Sequence, residues 1–221
     1  MEREFGKAVI WDMDGVIADT AAFHFKSWKS LVESRGKSYS EEDFRHGFGL
    51  RNDAILTQLF GEMSWETIEY LSKKKEQIFR ASIKGKLKLL PGVENLLDIL
   101  HQEHFVIGLA SSAPSANMEL MLQLLGINHR FNCFISAGDV TKGKPDSEVF
   151  LATAQRLKVN PNRSIVIEDA IAGIEAARAA GMKCIAVTNS HPEEAFFNAD
   201  VVTDDLNNIS AEVLYGLLSE S

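Results

Sequence analysis

Cysteine is nearly absent. Cys133 and Cys184 are the only two, each inside an apolar segment ("NCFIS" and "KCIAV"), and neither has a CxxC or Cys/His spacing. A disulfide framework and a thiolate zinc site are therefore not expected. Both thiols read as reduced core residues, as in a cytoplasmic protein. Positive charge is also short: 23 basic against 31 acidic side chains give a formal net charge of -8. Such a chain repels phosphate backbones and anionic lipid unless basic groups cluster locally, so neither nucleic acid nor membrane is an expected partner. Long hydrophobic runs are missing too. No window approaches a membrane span, and the opening "MEREFGKAVIW" lacks the apolar stretch of a signal peptide. There is no internal repeat and no low-complexity tract. What is present is 221 residues, 45% of them hydrophobic, enough for one core plus a small second domain.

The apolar residues fall into short β-rich runs: "KAVIW" (7–11), "FVIGLAS" (105–111), "NCFIS" (132–136), "SIVIE" (164–168), "KCIAV" (183–187) and "DVVT" (200–203). They lack polar alternation, which suits strands buried on both faces. Helical patterns such as "GVENLLDILHQE", "DSEVFLATAQRL" and "AIAGIEAARAAG" lie between most of them. Strand and helix in alternation predict an α/β fold with a Rossmann-like parallel sheet, whose reactive crevice lies at the carboxyl ends of the strands. The segment from Thr20 to Lys88 breaks the rhythm: it is helical throughout, punctuated by Gly36, Gly61 and Gly85. It reads as a helical cap domain (20–88) inserted after the first strand of a core formed by 1–19 and 89–221.

Four chemically loaded clusters fall where a strand gives way to a loop. Asp12 and Asp14 follow the first strand, Ser111 and Ser112 the second, Lys144 lies in "TKGKPD" beyond the third, and Glu168 and Asp169 close the fourth. Positions i and i+2 of an extended chain share a side. Two carboxylates there, facing Glu168 and Asp169, could not all be ionised without a cation, and oxygen ligands of this kind suit Mg²⁺. Lys144 and the Ser111 hydroxyl add donors for an anion with several oxygens, which describes a phosphoryl-transfer site. Asp12 could then attack, with Asp14 as the acid, its proton held by the like charge nearby. A calcium loop is disfavoured because Ile17 stands at the sixth position, where glycine is required. Asp19 reads as a helix cap or hinge brace. A receiver domain, the non-enzymatic alternative, is about half this length and lacks a cap.

In this order and spacing, "DMDGVIADT", "ASS", "GKP" and "IEDAIAGIEAA" resemble the four motifs of the haloacid dehalogenase superfamily, and the resemblance spans essentially the whole chain. It implies that Asp12 becomes phosphorylated and that Asp14 protonates the leaving oxygen and later activates the acceptor. It also implies that Ser111 and Lys144 hold the phosphoryl group. Mg²⁺ would be bound by the Asp12 side chain, the Asp14 backbone carbonyl and Asp169, with Glu168 close by. The helical insert is similar to the mobile cap of the subgroup containing β-phosphoglucomutase and many sugar-phosphate phosphatases. "DTAAFHFKSWKSL", "GFGLR" and "LSKKKEQ" match there, placing His24, Trp28, Arg51 and Lys75 at that subgroup's matching positions. By that resemblance Arg51 and Lys75 hold a distal phosphate or hydroxyls, and His24 positions Asp14. Helical spacing with Leu31 and Val32 offers His24 and Trp28 a buried face instead. Ser112 is assigned to substrate binding or to capping the helix that follows. The match departs where the mutases carry a serine and an asparagine that grip the non-reacting phosphate; this chain has Ala113 and Ser115, with Asn117 two residues on. The expectation is a Mg²⁺-dependent, monomeric enzyme that hydrolyses a small phosphorylated metabolite such as a sugar phosphate. The alternative is β-phosphoglucomutase, which interconverts β-glucose 1-phosphate and glucose 6-phosphate.

Overall fold

The computed structural model describes residues 6–219. Six strands, β1 (Ala8–Trp11), β2 (Val106–Ala110), β3 (Cys133–Ile135), β4 (Ser164–Glu168), β5 (Lys183–Val187) and β6 (Val201–Thr203), form one sheet. All pair in parallel, in the order β3-β2-β1-β4-β5-β6. The runs 105–111 and 132–136 are each trimmed by one residue at both ends. β1 is buried along its whole length, with Val9 and Trp11 in one apolar cluster and Ile10 in the other. That is the two-residue period of a strand with both faces covered.

Four helices follow β1 directly: α1 (Ala21–Glu33), α2 (Glu41–Gly47), α3 (Asn52–Phe60) and α4 (Trp65–Ile83). The remaining helices, α5 (Val93–Gln102), α6 (Ser115–Leu125), α7 (Glu148–Leu157), α8 (Ile171–Ala179) and α9 (Ala211–Ser219), flank the sheet. Leu96 and Leu100 of α5, Met121 of α6 and Leu214 of α9 join the cluster of Val9 and Trp11. Phe150 and Ala154 of α7, with Ile174 and Ala177 of α8, join that of Ile10. Each large apolar side chain buried in this way contributes roughly 1.5–3 kcal/mol relative to exposure. Among the described residues no helix is long and apolar enough to cross a membrane.

The cap has its own small core of Trp28, Leu31, Val32, Tyr39, Ile55, Leu56 and Leu71. Its helix starts are fixed locally: Ser40 and Asp43 form a capping box on α2, and the Ser64 hydroxyl accepts from the Thr67 N–H on α4. The chain leaves the core and returns along two segments that pair, with a bridge between Ala18 and Leu89 and a 2.9 Å hydrogen bond from Leu90 N to Ile17 O. Phe79 and Ile83, on the last turns of α4, pack into the core's own cluster. This anchors the cap over the carboxyl ends of β1 and β2.

Candidate active site

The parallel register brings the strand ends to one edge. Asp12 leaves β1 with its N–H bonded to Ile167 O of β4, and Ser111 leaves β2 with its N–H bonded to Ile135 O of β3. Lys144 reaches into this edge and donates to Asp12 Oδ1 and Glu168 Oε1, both at 2.5 Å, with its side chain 1% exposed. The other Glu168 oxygen accepts the N–H groups of Asp169 and Ala170, each at 2.8 Å, at the start of α8. The helix macrodipole favours a carboxylate there. Gly173 makes room for it, since a Cβ would overlap the Glu168 carboxylate.

Carboxylate oxygens of Asp12, Glu168 and Asp169 lie within 4.8 Å of one another. One lysine cannot balance three buried acids. Burial pushes Asp12 up to about 7, with Glu168 and Asp14 adding to the rise against the pull of Lys144. Burial also raises Asp169, helped by Glu168 and Asp12. Asp169 Oδ2 is buried with no hydrogen-bond partner, a costly state for a carboxylate oxygen. Gly15, at φ 79°, approaches so closely that a Cβ would strike this carboxylate. An orphaned oxygen in a cluster of hard donors is what a small divalent cation would satisfy.

Asp14 sits differently. Its Oδ1 accepts from the Thr20 hydroxyl at 2.6 Å and lies 3.1 Å from His24 Nε2. Lys75 Nζ is 2.8 Å from His24 Nδ1. An ammonium only donates, so Nδ1 accepts and the imidazole proton is on Nε2, facing Asp14. Burial opposes ionisation of Asp14, but His24, Thr20 and the more distant Lys75 outweigh it and hold its carboxyl below the usual range. This corrects the expectation that Asp14 starts protonated by a neighbouring like charge. Repulsion falls on Asp12 instead, because Asp14 has two donors of its own. Among the described residues no hydrogen bond engages Asp14 Oδ2. Thr20 was missed as a functional residue: it stands at the N-cap of α1, yet its hydroxyl serves Asp14 and not the helix.

Asp12, Asp14, His24, Trp28, Lys75, Ser111, Ser112 and Asp169 line one cavity of about 60 Å³ between cap and core. That is room for a few water molecules. The Ser112 hydroxyl donates to Gly49 O of the cap at 2.9 Å, and Ser111 Oγ accepts from Ala113 N at 3.0 Å. Trp28 is 2% exposed and belongs to the cap core as well as to the cavity wall.

Two cap residues are committed to protein partners. Lys75 is 2.9 Å from Glu76 Oε1, which also accepts from Asn52 at 2.7 Å. The other Glu76 oxygen accepts from Asn117 at 2.5 Å, and Asn117 Oδ1 accepts from Arg80 at 2.8 Å. Asn117 thus ties α4 to α6 and is not a lining residue of the cavity. Arg51, expected to face the substrate, is also not among the cavity-lining residues. Its guanidinium donates to the carbonyls of Val140 and Thr141 at 3.1 Å each and to Asp53 at 3.2 Å, fastening the cap to the loop before Lys144. Those carbonyls belong to a segment 89 and 90 residues away, so local sequence gives no sign of the contact.

A family model described as haloacid dehalogenase-like hydrolase matches residues 9–187. Beta-phosphoglucomutase of Bacillus subtilis (strain 168) is 35% identical over 217 residues, 95% of this chain and 94% of that protein. A phosphorylated carbohydrates phosphatase of Thermotoga maritima is 30% identical over 215 residues, 94% of this chain and 100% of that protein. Among solved structures, beta-phosphoglucomutase from Clostridium difficile superposes with a TM-score of 0.87 at 30% identity, covering 97% of each chain.

Proposed function

The chain belongs to the haloacid dehalogenase-like hydrolase family, and from that membership we propose that it hydrolyses a small phosphomonoester, a sugar or polyol phosphate, through a phosphorylated Asp12. The observation that carries this reading is the joint placement of Asp12, Lys144, Glu168 and an orphaned Asp169 oxygen beside a separately held Asp14. Asp12, Asp169 and the Asp14 backbone carbonyl, with Glu168 adjacent, would hold Mg²⁺, which when bound offsets their charge and polarises the phosphoryl oxygens. Asp12 attacks phosphorus and the bond to the leaving oxygen breaks. Lys144 and the Ser111 hydroxyl hold the phosphoryl oxygens where charge accumulates.

Asp14 carries the proton. It is ionised without substrate, and an arriving phosphate dianion raises its proton affinity, so the substrate itself prepares the acid that the leaving oxygen needs. After the alcohol departs, the Asp14 carboxylate takes a proton from water as that water attacks phospho-Asp12, releasing phosphate and restoring Asp12. Thr20 and His24 keep Oδ1 fixed, which leaves Oδ2 for the transfer.

Hydrolysis is favoured over transfer to a second sugar because the cavity offers little grip for a second phosphate. Arg51 is bonded to core carbonyls and Lys75 to Glu76. The mutase reading is supported by the 35% identity to the Bacillus subtilis protein. One assay separates the two: β-glucose 1-phosphate is supplied with a trace of glucose 1,6-bisphosphate and both products are followed. Inorganic phosphate outrunning glucose 6-phosphate is expected; the reverse order overturns the hydrolytic reading.

A further inference from the structure

Tyr39, in the loop between α1 and α2, lines the cavity, is 5% exposed, and has a buried hydroxyl with no hydrogen-bond partner. Its ring is fixed against Phe25, with centroids 6.0 Å apart, inside the cap core. Burial, reinforced by the Asp43 carboxylate, keeps the phenol protonated. The group is therefore a positioned donor that the protein leaves unsatisfied. It plays no part in the phosphoryl chemistry described above.

The rest of the cap wall is chemically consistent with it. Asn52 and Glu76 line the same cavity and are bonded to each other. Glu76 has three acceptor positions engaged, by Lys75, Asn52 and Asn117, out of about four lone-pair sites on a carboxylate. Lys75 is the sole lysine or arginine among the lining residues, and Glu76 neutralises it. Trp28, Phe44 and Phe48 add aromatic surface. A donor hydroxyl, a carboxylate acceptor and aromatic faces match a carbon skeleton bearing hydroxyls. A second phosphate or a carboxylate would meet Glu76 with no uncommitted cation to offset it.

We infer that Tyr39, Asn52 and Glu76 form a specificity subsite in the cap that takes the hydroxyls of an uncharged sugar or polyol and discriminates against substrates with a second anionic group. The inference rests on the hydrolytic reading. It is tested on the full-length protein with Mg²⁺, using p-nitrophenyl phosphate as a reference without hydroxyls. Comparison substrates are glucose 6-phosphate, fructose 1-phosphate, sorbitol 6-phosphate, 6-phosphogluconate and fructose 1,6-bisphosphate.

The wild type should favour the best neutral-skeleton monophosphate over 6-phosphogluconate and the bisphosphate by about tenfold or more, the size of a few charge–charge effects at a partly solvated site. Tyr39→Phe should lower kcat/KM for that substrate relative to p-nitrophenyl phosphate by roughly five- to tenfold, the worth of one hydrogen bond, and mainly through KM. Glu76→Gln should shrink the preference against the anionic substrates. A folding or catalytic defect lowers all substrates together, so a ratio unchanged in Tyr39→Phe overturns the subsite. Equal use of the bisphosphate by the wild type also overturns it. If the wild type hydrolyses p-nitrophenyl phosphate and the ratios do not move, the subsite alone falls. If it hydrolyses no phosphomonoester, the hydrolytic reading falls and takes the subsite with it.

Discussion

Replacing Lys144 with methionine isolates the electrostatics of the strand-end cluster. The lysine bonds Asp12 and Glu168 at 2.5 Å each from a position 1% exposed. Methionine keeps much of the apolar stem beside Phe150, whose ring centre is 4.9 Å from the ammonium, but removes the charge that opposes Asp12 and Glu168. Breaking a buried pair from one side costs roughly 3–5 kcal/mol, because the partner is left charged and unpaired. The loss should depend on pH. With Lys144 in place the Asp12 carboxyl stands at about 7 against an ordinary value of 3.8. A carboxyl raised in the folded state binds more protons folded than unfolded, so stability falls as pH rises between those two values. Without Lys144, which holds Asp12 down, that interval extends upward, and each further pH unit costs about 1.4 kcal/mol. Urea unfolding in EDTA at pH 6 and pH 8 should therefore show Lys144→Met destabilised at both, and more so at pH 8 by about 1 kcal/mol or more. A loss below about 1 kcal/mol, or one equal at the two pH values, would refute the reasoning.

Further outcomes follow from the same geometry. Mg²⁺ should raise the melting temperature, by the equivalent of about 2.7 kcal/mol at a hundredfold excess over Kd; Asp169→Asn should lose most of that gain, and EDTA should abolish turnover. Thr20→Val removes one of the two donors on Asp14 Oδ1, which should lower kcat by roughly 10- to 100-fold. Because that donor holds Asp14 down, the limb of the pH–rate profile that Asp14 sets should move to higher pH. Arg51→Met should reduce kcat/KM for singly and doubly phosphorylated substrates by the same factor, since the guanidinium binds the Val140 and Thr141 carbonyls; a selective loss on the doubly phosphorylated substrate would place Arg51 in the cavity.

The sheet was legible because strands buried on both faces leave continuous apolar runs, and β4 and β5 match theirs at both ends. The strand-end residues could be read together because a parallel sheet puts all its carboxyl ends on one side, whatever their spacing in sequence. The cap was less legible. Its helices follow from periodicity and glycine stops, but its chemistry depends on which charges meet across elements. Lys75 was singled out only by the resemblance, while Glu76, beside it, gave no sign that it would neutralise it inside a cavity. Nothing in the sequence singles out Tyr39, and only its burial beside Phe25 reveals an unsatisfied hydroxyl. The His24 contact with Asp14 was expected from the resemblance, but the Thr20 hydroxyl, six residues on, turns back toward Asp14 only once α1 is in place.

The central claim is a covalent phosphoryl group on Asp12. Borohydride added during steady-state turnover of a hexose monophosphate reduces an acyl phosphate to the alcohol, and peptide mass spectrometry locates the product. The account predicts homoserine at position 12, dependent on substrate and Mg²⁺ and absent after EDTA. Turnover that proceeds under these conditions with Asp12 unreduced, or with another carboxylate reduced in its place, would contradict it.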